Sequence, residues 1–165
     1  VNARIERASE QDVPLVLSFI RKLAEYERRP HEVTATEEGL REALFGARAF
    51  VEVLIAYSGE EPVGFALFFS IFSTFRGRPG LFLEDLFVEP SYRGKGIGTA
   101  LLAALAKVGR ERGCIRLEWW VLKWNQQALE FYRRLGATEV DEWGVYRLEG
   151  EALDKLDTRA SKLTG

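Results

Sequence analysis

Three short segments carry residue types whose spacing could do chemistry. Arg93-Gly94-Lys95-Gly96-Ile97-Gly98-Thr99 lies between a strand-like run and a helical pattern. A helix start offers unpaired N–H groups and a partial positive charge, glycines let a phosphate approach the backbone, and Arg93 and Lys95 add cationic donors. That chemistry suits a pyrophosphate. The Walker spacing Gly-x-x-x-x-Gly-Lys-Ser/Thr is absent, and glycines at 94, 96 and 98 do not fit a dinucleotide fingerprint. The competing reading is an ordinary glycine-rich turn with solvated cations. The run before it, Leu81–Val88, holds Glu84 and Asp85 among apolar residues. Strand alternation predicts opposite faces for the two, so one can point into a cleft, where apolar surroundings raise a carboxyl pKa into the range of a base. A structural charge pair with an arginine is the alternative. The third segment, Asn125–Ala137, reads as a helix opened by Asn125 and closed by Gly136, with Phe131-Tyr132 inside it.

The elements that must position these residues follow from periodicity. Residues 3–8 alternate like a short strand, and Ser9 followed by Asp12 resembles a helix start. A helix is predicted over Asp12–Arg28, because Val13, Val16, Leu17, Ile20, Leu23 and Ala24 recur at helical spacing until Pro30. Thr36 can cap a second helix bearing Leu40, Ala43 and Leu44, with Gly46 as its stop. Phe50–Tyr57 and Pro62–Phe72, separated by Ser58-Gly59-Glu60-Glu61, read as an antiparallel hairpin, and Leu81–Val88 as a third strand. A helix over Gly96–Arg112, a strand over Ile115–Leu122, a helix over Gln126–Leu135 and a strand over Thr138–Leu148 complete the pattern, with a frayed tail over about 155–165. The fold class is α/β (α+β), a mixed, mostly antiparallel central sheet flanked by helices.

Composition narrows the function classes. At 165 residues, 47% apolar and 29% charged, the chain is expected to be a single domain over 1–165 rather than disordered. Lys+Arg 23 against Asp+Glu 25 gives a net charge of −2, which disfavours bulk nucleic-acid binding. One cysteine, Cys114, and one histidine, His31, allow neither an intrachain disulfide nor a structural zinc site, and no metal is expected. The longest apolar run, Phe65–Phe72, falls short of the roughly 20 residues of a spanning helix, and the first residues lack a signal-peptide pattern. No membrane role and a cytoplasmic location are therefore expected. Cys114, after the helix stop Gly113, is expected to pack as a small apolar side chain, and Trp119, Trp120 and Trp124 to form an aromatic cluster.

Taken in order, Leu-Glu-Asp-Leu-Phe-Val (83–88), Arg-Gly-Lys-Gly-Ile-Gly (93–98) and Asn-x-x-Ala-x-x-Phe-Tyr-x-x-x-Gly-Ala (125–137) resemble the GNAT superfamily of acetyl-CoA-dependent N-acetyltransferases. The resemblance spans residues 4–150. Leu23-Ala24-Glu25-Tyr26-Glu27 and Trp124-Asn125 make the chain look most like the diamine (spermidine/spermine or thialysine) acetyltransferase branch. The resemblance implies that Leu86, Phe87 and Val88 hold the pantetheine arm of acetyl-CoA, and that Arg93, Gly94, Lys95, Gly96, Ile97, Gly98 and Thr99 hold its pyrophosphate. Asn125, Gln126, Gln127, Ala128 and Tyr132 are implied to face the cofactor. Tyr26, Glu27, Glu84, Glu118, Trp119 and Trp120 match positions lining the amine site.

The mechanism expected from this is direct acetyl transfer to a primary amine, with Glu84 as base, strand N–H groups around Phe87 as oxyanion site, and Tyr132 protonating the departing thiolate. A homodimer is also implied. One departure stands out: a branch acid near the last strand falls at Gly144, with Asp141 and Glu142 nearby, and Tyr146 stands where the branch has Trp. The rival readings are a GNAT enzyme for another amine and a non-catalytic acyl-CoA-binding module.

Overall fold

The computed structural model describes residues 3–163, with side chains to Arg159. The chain divides into two compact units, Val1–Trp120 and Val121–Gly165. In the first, β1 (Ala3–Arg7) leads to a short 3-10 turn and then α1 (Val13–Tyr26). The Asp12 carboxylate accepts from both Ser9 N–H and Ser9 Oγ at 2.7 Å, and Pro14 needs no N–H partner in the first turn, so the helix proper starts one residue later than the sequence suggests. α2 (Glu37–Phe45) is capped by Thr36 Oγ1, which accepts from Gly39 N–H at 3.1 Å.

β2 (Glu52–Ser58), β3 (Glu61–Ser73), β4 (Arg78–Val88) and β5 (Leu117–Trp119) join β1 in one sheet ordered β1-β2-β3-β4-β5. All pairings are antiparallel except β4 with β5, as a connection through α3 (Ile97–Glu111) requires. The mixed, mostly antiparallel sheet expected from the sequence is present.

Alternation sorts the core by face. Val53, Ile55, Phe65, Leu67 and Phe87 pack with Val13, Val16 and Phe19 of α1 and Leu44 of α2. Phe19 stacks on Phe65 at 5.4 Å between centroids and lies 5.9 Å from Phe87, which pins α1 over β3 and β4. Leu54, Ala56, Ala66, Phe68, Leu81 and Leu83 alternate with that set and are buried, and α3 packs on β1 to β4 with Ile97, Leu101 and Leu105 buried.

β5 is shorter than the predicted Ile115–Leu122, since β4 offers it partners only at Leu81, Phe82 and Leu83. Cys114 is partly buried, with its Cβ 3.6 Å from where a side chain on Gly109 would begin, in keeping with packing against α3.

The second unit contains α4 (Gln126–Arg134) and α5 (Glu151–Leu163). Residues 138–148, predicted as a strand, form none: the apolar alternation is present, but their unit supplies no second strand to pair with. The predicted tail is instead helical up to Leu163, where Glu151 and Asp154 favour the helix start and Lys155 pairs with Glu151 one turn away at 2.6 Å. Residues 164 and 165 of that tail lie outside the described residues. Among the described residues, no helix is long and apolar enough to cross a membrane.

Candidate active site

Backbone direction along β4 changes once. Leu81 N–H donates toward β5, to Arg116 O at 3.1 Å, whereas Glu89 N–H, at the same parity, donates toward β3, to Val63 O at 2.9 Å. In an unbroken strand both would point the same way. The register shows why they do not: Asp85 faces Leu67 and Leu83 faces Phe68, leaving Glu84 as the extra residue of a β-bulge. Beyond it, Phe87 directs its backbone to Phe65, while Leu86 and Val88 direct theirs to the edge where β5 has already ended.

That edge can take an extended amide-bearing arm by strand addition through Leu86 and Val88. Of the three residues expected to offer backbone groups there, Phe87 has its ring buried in the α1 core and its backbone directed to β3, whereas Leu86 and Val88 face the edge.

The bulge also decides the face on which Asp85 stands. Leu83 and Asp85 now lie on opposite faces, and Asp85 shares the α1 face with Phe87. Burial pushes the Asp85 carboxyl up to about 7, and the charges of Glu84 and then Glu27 push in the same direction. Among the described residues no ion pair relieves it, so the arginine-paired alternative is not what the structure holds. Glu27, the residue just after α1, is also shifted upward by burial, opposed by Arg29 and reinforced by Glu32. Glu84 itself is exposed. Three carboxylates thus converge from two elements, and the sequence pointed to Glu84 and Glu27 but not to Asp85 as the perturbed member.

The loop after β4 joins left-handed glycines to the start of α3. Gly94 (φ 72°) and Gly96 (φ 85°) adopt the left-handed conformation, and a Cβ on either would meet no atom within 4 Å, so the outer side is open. The first bond of α3 is Ala100 N–H to Gly96 O at 2.9 Å, which leaves the N–H groups of Ile97, Gly98 and Thr99 ahead of the helical ladder. Ile97 serves through its backbone alone, since its side chain is buried. Lys95 is exposed beside the ring of Tyr92, 5.0 Å from its centroid, and Tyr92 donates its hydroxyl to Glu61 at 2.6 Å.

Arg93 reaches toward α1. Its Nε donates to Val88 O at 2.9 Å and its guanidinium lies 4.4 Å from the Tyr26 ring centroid, directed to the end of α1.

At the β5 end, Glu118 pairs with Arg116 at 3.0 Å, and Trp119 is half-buried in register with Leu83. Trp120 is 62% exposed and meets Phe82 edge-on at 5.3 Å. Phe82 in turn stacks on Phe69. In the second unit, Asn125 is buried and its side-chain oxygen accepts from Ala128 N–H at 3.2 Å, so both are used to start α4. Gln126 donates to Lys123 O at 3.2 Å, and Gln127 is exposed. Tyr132 lies beside Phe131 at 5.2 Å between centroids. Among the described residues, no three His, Cys, Asp or Glu side chains gather as metal ligands.

The sequence model of the Acetyltransferase (GNAT) family matches residues 18–137. The chain is 39% identical to a thialysine N-epsilon-acetyltransferase of Bos taurus over 92% of this chain and 95% of that protein. It is 31% identical to an L-ornithine N5-acetyltransferase of Arabidopsis thaliana, covering 94% of this chain and 88% of the relative. A solved integron cassette protein from V. cholerae superposes with a TM-score of 0.80 at 29% identity, covering 95% of this chain and 98% of that one.

Proposed function

Since the chain belongs to the GNAT acetyltransferase family, an enzyme family whose co-substrate is acetyl-CoA, we propose that it acetylates the terminal primary amine of a small lysine-like or diamine molecule. The observation that carries this is the group of Glu27, Glu84 and Asp85 beside the open edge of β4. An alkyl amine with pKa near 10 arrives protonated, and clustered carboxylates favour a ligand bearing two cationic centres. Relatives named for thialysine and ornithine, both carrying a terminal amine and a second amino group, support the same substrate class.

Asp85 is the proposed base. A carboxyl near neutrality is about half ionised at pH 7 and basic enough to draw a proton from an ammonium once transfer begins, directly or through one water. Glu84 and Glu27 hold the cationic substrate. The freed nitrogen lone pair attacks the thioester carbon, with the developing oxyanion held by an N–H of Leu86 or Val88. The C–N bond forms, the C–S bond breaks, Tyr132 gives its proton to the thiolate, and the second proton, lost from the acylated nitrogen, returns to the Tyr132 phenolate, directly or through water. Acetyl-CoA would be held by the N–H groups of Ile97, Gly98 and Thr99, by Lys95, and by the edge of β4, with the start of α4 at Asn125–Ala128 completing the cofactor contacts.

Both units are proposed to act as one acetyltransferase domain, because the family match runs across their division. Cytoplasmic location and homodimer formation are part of the same reading; size-exclusion chromatography with light scattering checks the dimer.

The deciding experiment measures thiol release from acetyl-CoA with thialysine, lysine, ornithine, putrescine, spermidine, tyramine and a peptide N-terminus. Turnover is expected with the diamines and lysine-like amines. Efficient turnover of tyramine or the peptide alone would reject the substrate class, and thiol release with none of them would reject turnover of these amines.

A further inference from the structure

We propose that Arg93 is a positioning residue for the amine side of the site, acting through Tyr26, rather than a ligand of the pyrophosphate; the proposal rests on the acetyltransferase reading above. Arg93 opens the phosphate loop, yet its side chain turns back from it. Nε donates to Val88 O at 2.9 Å, which fixes the guanidinium plane. The central carbon then lies 4.4 Å from the Tyr26 ring centroid and 5.7 Å from that of Phe87. Phe87 is held in turn by Phe19 in the core. The guanidinium therefore links a ring held in the core to the last residue of α1.

The end of α1 has reason to need such a hold. Arg28 N–H donates to Glu25 O at 3.1 Å and Arg29 N–H to Ala24 O at 2.8 Å, the paired closure in which a left-handed residue, commonly glycine, ends a helix. Here that residue is Arg28 at φ 62°, a conformation side chains other than glycine rarely adopt. Glu27 sits between Tyr26 and this turn, so any movement of the turn carries its carboxylate away from Asp85. Through one side chain, the loop proposed to hold the cofactor and the turn proposed to hold the amine share a position.

Lysine at 93 separates the two roles, because it keeps the charge a phosphate needs but has neither the in-plane Nε–H nor the flat face. Arg93→Lys and Tyr26→Leu are made singly and together in the full chain. Amine KM, acetyl-CoA KM and kcat are measured with thialysine, and hydrogen exchange over residues 24–29 is followed without ligands. Arg93→Lys is expected to raise amine KM about tenfold, the loss of one such contact, with acetyl-CoA KM changed by less than about threefold. The double variant should be no worse than the worse single one, and exchange over 24–29 should quicken.

A larger effect on acetyl-CoA KM than on amine KM, or effects of the two substitutions that multiply, overturns the proposal. If no amine is turned over, the acetyltransferase reading fails by itself, and unchanged exchange over 24–29 then overturns the positioning role separately. Should Arg93→Lys fail to fold, Arg93→Gln, which retains a side-chain amide donor, carries the same comparison.

Discussion

Asp85 works against the stability of the fold that holds it. Its carboxyl has an ordinary pKa of 3.8 and is pushed to about 7 in the folded chain. Below about pH 4 both states are protonated and the group contributes no pH dependence. Between about 4 and 7 the folded state holds the proton and the unfolded state does not, so stability falls as pH rises through that window. Above it the full penalty, on the order of a few kcal/mol, remains. Asp85→Asn keeps the shape and removes the charge. It is expected to resist urea better than the wild type at about pH 8 and equally well at about pH 4, while turnover drops by about 10²-fold or more and the rise of kcat/KM near neutrality disappears. Equal urea midpoints at the higher pH would show that burial costs Asp85 nothing, and wild-type turnover would hand the base role to Glu84.

At the scale of elements, the site depends on how closely β3 and β4 approach. A Cβ on Gly64 would stand 2.6 Å from Phe87 O and 3.3 Å from Val88 Cα, so the glycine is needed for contact and not for its φ. Gly64→Ala should force the strands apart beside the open edge, costing about 1–3 kcal/mol in urea unfolding and raising acetyl-CoA KM. A variant as stable as wild type, with unchanged acetyl-CoA KM, would mean the edge does not guide the cofactor. The helix stripes were legible in the sequence because Val13, Val16 and the α3 leucines repeat at one helical period, and the β2–β3 hairpin because its strands alternate around turn residues, whereas β4 was legible only as a strand and not as the hairpin partner of β3. The bulge at Glu84 was not, since a bulge is a relation between two strands and leaves no mark in the Leu81–Val88 pattern. Missing it meant missing Asp85: its shift depends on a face reversed by that bulge and on Glu27, which α1 brings from far away in sequence. The glycine turn and helix start at 94–99 were readable because they are local, whereas the turn of Arg93 toward Tyr26 is tertiary. For residues 138–148, alternation was a sound signal of strand propensity, but a strand exists only with a partner.

The proposed reaction asks the whole molecule to recruit two partners of opposite charge with a net charge of only −2. Long-range attraction from the total charge is therefore weak, and local fields must do the steering. On the proposed reading an anionic cofactor would meet Lys95 and the start of α3, while a cationic amine would meet Glu27, Glu84 and Asp85. Such local fields reach about 30 Å at 0.01 M salt but only about 8 Å at physiological ionic strength. Salt should consequently lower kcat/KM for a doubly charged diamine more steeply than for a monoamine of the same length, with the steepest part below about 0.1 M. Glu27→Gln, which removes one charge at nearly constant shape, should flatten the diamine dependence and leave the acetyl-CoA dependence as it was. Parallel salt curves for diamine and monoamine in the wild type would mean that the carboxylates do not select a second cationic centre. The second charged group of the substrate would then have to be recognised elsewhere on the chain.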